Sequence, residues 1–263
     1  MKNLIAPAIC ALLILLFPAT RMQAQQTGKK AIYQLSVYHF KNSDQEARID
    51  DYLQHALLPA LHRTGHGTVG VFKPLANDTA ADKTIYVLVT HPSINHALDI
   101  KQRLNKDREY PAKAAAFETA PHDNPPFVRV ENILMEAFRF ARQPSTPQLS
   151  GNKADHIFEL RSYESATEKL YQSKVHMFNE GGEITLFKRL GFNAVFYGEV
   201  IAGSRMPNFW YMTSFNSLAD RNEHWKTFGN DPEWKAMLAK PEYKNNVSRS
   251  DIILARSAGY SDL

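Results

Sequence analysis

The sequence predicts an α+β fold made of two tandem ferredoxin-like modules, each with the element order βαββαβ. Three observations predict it: an internal repeat, the same order of strand and helix patterns in both halves, and a polar segment between the halves. That segment, residues 141–155, is rich in Pro, Ser, Gly, Gln and Asn and has no apolar periodicity, which is typical of a linker. We therefore expect a first module at 25–140, a linker at 141–155 and a second module at 156–263.

The internal repeat consists of three pairs of similar segments that occur in the same order. Residues 32–38 match 157–163, residues 67–72 match 191–196, and residues 107–110 match 231–234. The offset between the partners is 124 or 125 residues each time. So constant an offset favours duplication of one unit over chance.

The first half is expected to begin with a strand, because residues 32–40 are rich in β-forming residues and alternate along the chain. Ser43 or Asp44 can cap the helix that follows. Apolar residues recur every four positions in that helix: Ile49, Leu53, Leu57 and Leu61, joined by Tyr52. The remaining elements are strands at 69–74 and 85–91, a polar-rich helix from a Ser93 cap to about residue 105, and a strand at 127–138.

The second half repeats this order, with strands at 157–163, 194–201, 208–215 and 252–255 and helices at 167–190, 217–228 and 232–239. The first helix of each copy contains a helix breaker at a similar place, Pro59 in one and Gly181-Gly182 in the other. Two chemically different breakers at one position indicate a kink. The kink either opens one end of a pocket or lets the helix follow the twist of the sheet.

Three segments of the second half carry a family resemblance: FELRSY at 158–163, NSLADR at 216–221 and NDPEWK at 230–235. In order and spacing they resemble the NIPSNAP family. The first half is similar to a more diverged copy, because HPSINH at 91–96 stands where NSLADR is expected. The resemblance implies a dimeric α+β barrel, in which two sheets face each other with helices outside, formed here within one chain as a pseudo-dimer. It supplies no catalytic motif to transfer, so it supports the fold more than a function.

The first residues predict export. Lys2 precedes an apolar run at 4–17, and small and polar residues follow up to Ala24, which is the pattern of a secretory signal peptide. The run is shorter than the roughly 20 residues that span a bilayer. We expect cleavage after residue 24, a secreted or periplasmic protein and no stable membrane insertion, with an uncleaved anchor as the alternative.

Composition narrows the functional classes. The 263 residues are 44% hydrophobic and 22% charged, which excludes a collagen-like or predominantly disordered chain. The single Cys, Cys10, lies in the predicted signal peptide, so no disulfide framework or Cys-ligated metal is expected in the mature protein. Cleavage also removes Lys2 and Arg21 and lowers the formal charge from +4 to +2. With no Lys/Arg cluster, we expect no nucleic-acid partner.

The candidate site follows from alternation in the first strand of each half, where neighbouring residues point to opposite faces. If each sheet packs its apolar face against its helices, the polar face lies in the space between the sheets. That face suggests a polar cavity for a small-molecule ligand. The predicted ligand-binding residues are Gln34, Tyr38, Glu159, Arg161, Tyr163 and, from another strand, Trp210. The alternative is that Glu159 and Arg161 simply pair with each other or with a neighbouring strand.

Histidines offer few further candidates. His176 is the one proposed catalytic residue, as a general base. His39 is a weaker candidate, because alternation puts it on the helix-facing side of its strand. His62 and His66 are four apart but have no third ligand nearby in sequence, and a zinc site needs three or four. We expect no metal and no cofactor.

Two functions remain open. The favoured one is an exported module that binds a small organic ligand in or beside the inter-sheet cavity. The alternative is a cofactor-light α+β barrel enzyme, of oxygenase or isomerase type, acting on an aromatic or polyketide-like substrate. A pure assembly surface would need large exposed apolar patches. Further homo-oligomerisation of the pseudo-dimer stays open.

Overall fold

The computed structural model describes residues 28–263, so the predicted signal peptide lies outside the described residues. This part of the chain contains eight strands: β1 Ile32–Phe40, β2 Val69–Pro74, β3 Lys83–His91, β4 Arg129–Ala137, β5 Ile157–Glu164, β6 Asn193–Ala202, β7 Asn208–Phe215 and β8 Arg249–Ser257. Its α-helices are α1 Ser43–Tyr52, α2 Leu58–Arg63, α3 Ile94–Leu98, α4 Ile100–Lys106, α5 Tyr110–Glu118, α6 Glu168–Phe178, α7 Glu183–Arg189, α8 Leu218–Asn230 and α9 Pro232–Ala239. Among the helices of residues 28–263, none combines the length and the apolar character needed to cross a membrane.

The eight strands close into one antiparallel barrel in the order β1-β3-β2-β8-β5-β7-β6-β4. The first half supplies the neighbours β2-β3-β1-β4 and the second half supplies β6-β7-β5-β8, so each half has the ferredoxin-like strand order. Two seams join the halves. β2 pairs with β8 over three residue pairs, and β4 pairs with β6 across an irregular register. The predicted fold class, an α+β barrel within one chain, is confirmed.

Local sequence signals explain most helix starts. Ser93 caps α3 as predicted, since its side chain accepts a hydrogen bond from the backbone N–H of His96. The cap of α1 is Asn42, which accepts from the Gln45 N–H, so the prediction of Ser43 or Asp44 was one or two residues late. The helix α5 was missed because its alanine-rich sequence has no amphipathic period.

The predicted interruption of the first helix occurs in both halves. In the first half a π-helical turn, Leu53–Leu57, lies between α1 and α2 in one continuous helical run, and Pro59 follows this turn directly. A π-helical turn is a local irregularity of the helix at which the missing N–H of a proline can be accommodated. In the second half α6 ends before Gly182, which has a φ of 98° and begins α7. A left-handed residue at this place needs glycine, because a Cβ is strained there.

This geometry predicts opposite effects for two Gly→Ala changes. Gly182→Ala should lower the free energy of unfolding by about 1–2 kcal/mol, because alanine is strained in the left-handed region. The control Gly229→Ala, within α8, meets no atom within 4 Å of the new Cβ and should raise it by up to about 1 kcal/mol. Urea denaturation of both variants checks the pair, and equal effects would contradict the backbone assignment.

The barrel interior is an apolar core built by both halves. Tyr33, Leu35 and Val37 of β1 meet Phe158 and Leu160 of β5 there, all of them buried. The prediction that each sheet packs the apolar face of its first strand against the helices was therefore wrong. A closed barrel buries both faces of its sheet, and the inner face, which no helix reaches, has the stricter requirement for apolar side chains. The helix-facing side accepts polar groups where a helix supplies partners for them.

Candidate functional site

Glu159 is the centre of a buried ion-pair network between β5 and α8. Its carboxylate is fully buried and accepts hydrogen bonds from Arg161 Nε at 2.6 Å, Arg221 Nε at 2.7 Å and Trp225 Nε1 at 2.7 Å. The Arg161 guanidinium also lies 3.7 Å from the centre of the Trp225 ring. Burial alone raises the pKa of Glu159, but hydrogen bonding and the positive charges of Arg221 and Arg161 outweigh it and hold the pKa below its usual value.

The network continues through two tyrosines. Arg161 donates to the Tyr163 hydroxyl at 2.8 Å, and the hydroxyls of Tyr163 and Tyr211 are 3.0 Å apart. Every charged group in it has an opposite charge or a polar partner. The alternative considered from the sequence, that Glu159 and Arg161 pair with each other, is therefore confirmed.

Five of the predicted ligand-binding residues do not face the space between the sheets, which corrects the orientation predicted for them. Glu159, Arg161 and Tyr163 lie on the helix side of β5. Tyr38 packs edge-on against Phe117 and Phe127 in the helix-facing core of the first half. Gln34 donates to Asn132 at 3.1 Å on the outer face of β1 and β4. The predicted orientation was wrong because the closed barrel buries both faces of its sheet, and the apolar face of β1 and β5 points into the barrel.

Trp210 and His176 lie in different environments. Trp210 lies on the inter-sheet side of β7 and belongs to the barrel core. His176, on α6, has Nδ1 at 3.0 Å from the Tyr243 hydroxyl and links this helix to the 3₁₀ turn Pro241–Tyr243. The six predicted ligand-binding residues are thus divided among four places and do not form one site.

One end of the barrel opens into a pocket of about 420 Å³ with Trp210 in its wall. This mouth lies where β1 ends and where β3, β4, β7 and β8 begin. Apolar wall residues are Val37, Tyr86, Ile133 and Ile253, and charged or titratable ones are His39, Asp82, Arg129, Glu131, Arg205 and Asp251. The volume is in the range of small-molecule sites, roughly 300–1,000 Å³, and the mixed lining is also typical of them.

His39 and Asp82 form a dyad in the mouth. His39 is 5% exposed, and its Nδ1 lies 2.8 Å from an Asp82 carboxylate oxygen. Because an ionised carboxylate only accepts, Nδ1 carries the hydrogen of this contact. Nε2 has no hydrogen-bond partner among residues 28–263, although a Glu131 oxygen is 3.3 Å away. The prediction that His39 lies on the helix-facing side was wrong, for the same reason as for the rest of β1.

An arginine in a strained backbone conformation closes the other side of the mouth. Arg205, in the turn between β6 and β7, has a φ of 64°, which non-glycine residues adopt rarely. Its guanidinium bonds to Asp251 of β8 and lies 3.7 Å from Glu164 of β5. The turn is therefore held over the barrel end by charge pairs.

Trp210 has an unsatisfied donor in this wall. The residue is 6% exposed, and its indole Nε1 has no hydrogen-bond partner within the described part of the chain. A buried donor of this kind costs about 1–3 kcal/mol unless something accepts from it. Two residues of the pocket wall therefore each carry a buried polar atom without a hydrogen-bond partner among residues 28–263, Trp210 Nε1 and His39 Nε2.

The described residues also contain one group of three side chains that could hold a metal ion: His66, His91 and His96. Burial, together with the charge of the neighbouring rings, lowers the pKa of His91 to about 3. Burial also lowers the pKa of His66 and His96, and the positive charge of Arg103 adds to the effect. The sequence expectation of no metal overlooked this group, because its third member is far from the other two in the chain.

The fold and the mouth define this chain as an α+β barrel protein with a pocket at one barrel end. Residues 158–262 match the family model NIPSNAP. This match confirms that the second half of the chain is similar to NIPSNAP domains, as the three sequence segments indicated. No curated protein matches the sequence.

Solved structures resemble the chain at two scales. A candidate monooxygenase from Fusobacterium nucleatum is 10% identical, with a TM-score of 0.57, over 87% of this chain and 93% of its own. A second, from Lactobacillus acidophilus, is 11% identical, with a TM-score of 0.53, over 87% and 94%. A NIPSNAP family protein from Agrobacterium tumefaciens is 24% identical, with a TM-score of 0.36, over 41% of this chain and 98% of its own. At such identities the two whole-chain matches establish the shared barrel fold alone.

Proposed function

We propose that this protein binds a small organic molecule at the mouth of its barrel. The observation that supports the proposal is the pair of polar atoms without a hydrogen-bond partner on residues of the pocket wall, the Trp210 indole N–H and the His39 Nε2 nitrogen. The barrel core below them is filled by apolar side chains, so a ligand lies beside the inter-sheet space rather than within it.

The lining defines the class of ligand. A planar apolar part can contact Trp210, Tyr86 and Ile133, while a carbonyl or hydroxyl oxygen accepts from the indole N–H. His39 Nε2 then forms a hydrogen bond with a hydroxyl group of the ligand, which can donate or accept. An aromatic or polyketide-like molecule with hydroxyl and carbonyl substituents has these features.

A screen of aromatic and polyketide-like metabolites by thermal shift and native mass spectrometry tests this proposal. Compounds that bind should lose about tenfold or more in affinity in Trp210→Phe, which keeps an aromatic ring and removes the donor, and in His39→Gln. The matched control is His55→Gln, because His55 pairs with Asp51 at 2.9 Å on the exposed face of α1. Equal affinity in all four proteins, or no binding compound at all, would contradict the proposal.

The Asp82–His39 dyad favours a second candidate, an enzyme that moves a proton. With Asp82 fixing the tautomer, His39 Nε2 can take a proton from a ligand carbon or oxygen and return it elsewhere, which is an isomerase-type step. Two whole-chain structural neighbours carry monooxygenase names, which extends this candidate to oxygenase chemistry. Turnover of a binding compound that is lost in His39→Gln and kept in His55→Gln would support it, and turnover unchanged in His39→Gln would exclude this role for His39.

We also propose that the protein is exported, with residues 1–24 as its signal peptide. Mass spectrometry of the protein recovered from its native host measures the mature N-terminus. A chain that begins at residue 25 is the expected result, and a chain that keeps residues 1–24 would contradict it.

A further inference from the structure

We propose that His66, His91 and His96 bind a divalent metal ion of the zinc class through one ring nitrogen each. The three come from separate elements: the loop after α2, the end of β3 and the first turn of α3. They lie away from the barrel mouth, since His91 pairs with Ile32 at the start of β1 and His39 lies near its end.

The spacing of the nitrogens matches a coordination sphere. His66 Nε2 lies 3.1 Å from His91 Nδ1, which lies 3.3 Å from His96 Nδ1. Tetrahedral zinc with metal–nitrogen bonds of about 2.0–2.1 Å requires ligand nitrogens about 3.3 Å apart. One ligand atom from each residue falls within 4.8 Å of the other two.

Hydrogen bonds among the three rings cannot pair all of these nitrogens well at the same time. His66 Nδ1 lies 3.2 Å from the Leu61 carbonyl oxygen, which fixes the tautomer by accepting the hydrogen and leaves Nε2 as a lone pair. A hydrogen on His91 Nδ1 can point fully at only one of its two neighbours. A cation at the centre accepts all three lone pairs, and the Leu61 carbonyl then acts as the outer partner that orients a metal-bound histidine.

The site is also accessible on one side. The three histidines line a pocket of about 390 Å³ with Gly65, Gly67 and Pro92. Three protein ligands and an open fourth position are the arrangement of catalytic rather than structural zinc sites, with a water or a ligand oxygen as the fourth donor.

Comparison of the two halves gives an independent reason for a special role. The helix caps Ser93 and Ser217 accept hydrogen bonds from the backbone N–H of His96 and Asp220, so the two halves correspond here at an offset of 124. His96 therefore corresponds to Asp220, and His91, which ends β3, corresponds to Phe215, which ends β7. Neither histidine has a histidine counterpart in the second half, so this pair belongs to the first half alone.

Zinc binding to the untagged full chain tests the proposal, by isothermal titration and by metal analysis after dialysis. The wild type should bind one equivalent of Zn²⁺ and melt at a higher temperature with it, and Co²⁺ should give the visible spectrum of a four-coordinate ion. His96→Gln, a change at the most exposed of the three, should lose affinity by on the order of 100-fold or more. His62→Gln is the control, because His62 is nearby in the chain but pairs with Asp262.

Each other outcome overturns the proposal. Wild type without bound Zn²⁺ excludes the site outright. Binding that persists at full affinity in His96→Gln places the metal elsewhere. Loss of binding in His62→Gln together with His96→Gln would mean a nonspecific effect of removing any histidine from this region.

Discussion

Replacement of Glu159 by Gln is expected to lower the free energy of unfolding by about 3–5 kcal/mol. The variant keeps the shape of the side chain but removes the charge that two buried or half-buried guanidinium groups face. Arg161 is 9% exposed and could not regain water without displacing its neighbours. The Trp225 indole would lose part of the carboxylate acceptor that it now uses.

Urea denaturation at neutral pH measures this effect. The control is Glu223→Gln, since Glu223 lies on the exposed side of α8 and pairs with Lys226 at 3.4 Å in solvent. That change should cost less than about 0.5 kcal/mol. If the two variants were equally stable, the Glu159 network would not hold α8 against the sheet.

The same network predicts a pH dependence. Burial raises the pKa of Glu159, but the two arginines lower it by more than burial raises it. The pKa in the folded protein therefore lies below the unfolded value near 4.5. The unfolded state then binds more protons, and stability rises with pH through this window. The contribution is complete above about pH 5 and is lost as the pH falls through the folded pKa. The stability difference between wild type and Glu159→Gln should therefore shrink from pH 5 to pH 3.

The second large effect is expected in the barrel core, where the halves meet. Phe72 of β2 and Phe158 of β5 are buried, with ring centres 4.9 Å apart. Either Phe→Ala change should lower the free energy of unfolding by about 3–5 kcal/mol, because neither side of the barrel can collapse into the cavity. The exposed Leu98→Ala, on α3, should change it by less than about 0.5 kcal/mol.

A double-mutant cycle tests whether the halves share this core. Phe→Leu changes keep the double variant folded, and Phe72 with Phe158 should show a coupling of about 1 kcal/mol. Phe72 with Phe178, which belongs to the helix-facing core of the second half, should be additive within about 0.5 kcal/mol. Additivity in both cycles would contradict direct packing between the halves.

The order of most strands and helices was predictable because these elements leave a local signal, whereas the alanine-rich α5 leaves none. Ser93 predicted the start of its helix, and Pro59 and Gly182 predicted the irregularity in the first helix of each half. Alternation in residues 32–40 predicted β1. The burial of both sheet faces leaves no such signal. Alternation states that Tyr33 and Gln34 point in opposite directions, but not which of them points into the barrel. We assigned the apolar face of β1 and β5 to the helices. Because this assignment was wrong, the predicted positions of the candidate site and of His39 were both wrong.

The histidine group was harder to predict for another reason. His91 and His96 stand in the segment that replaces NSLADR, and this departure from the repeat was visible in the sequence. His66, however, comes from the loop after α2, and only the tertiary fold brings the centre of its ring to 4.9 Å from that of His91. The ion pair of Glu159 with Arg221 is similar, since 62 residues separate two partners that the packing of α8 on β5 joins.

The tryptophan indole signals measure the location of the ligand site most directly. The chain contains three tryptophans, Trp210, Trp225 and Trp234, and each gives one indole N–H peak in a two-dimensional ¹H–¹⁵N spectrum. Trp210→Phe assigns the first peak. On titration with a compound found in the screen, the Trp210 peak should shift, and the Trp225 peak, whose N–H is held by Glu159, should stay in place. Movement of the Trp225 peak with a stationary Trp210 peak would contradict a site at the barrel mouth.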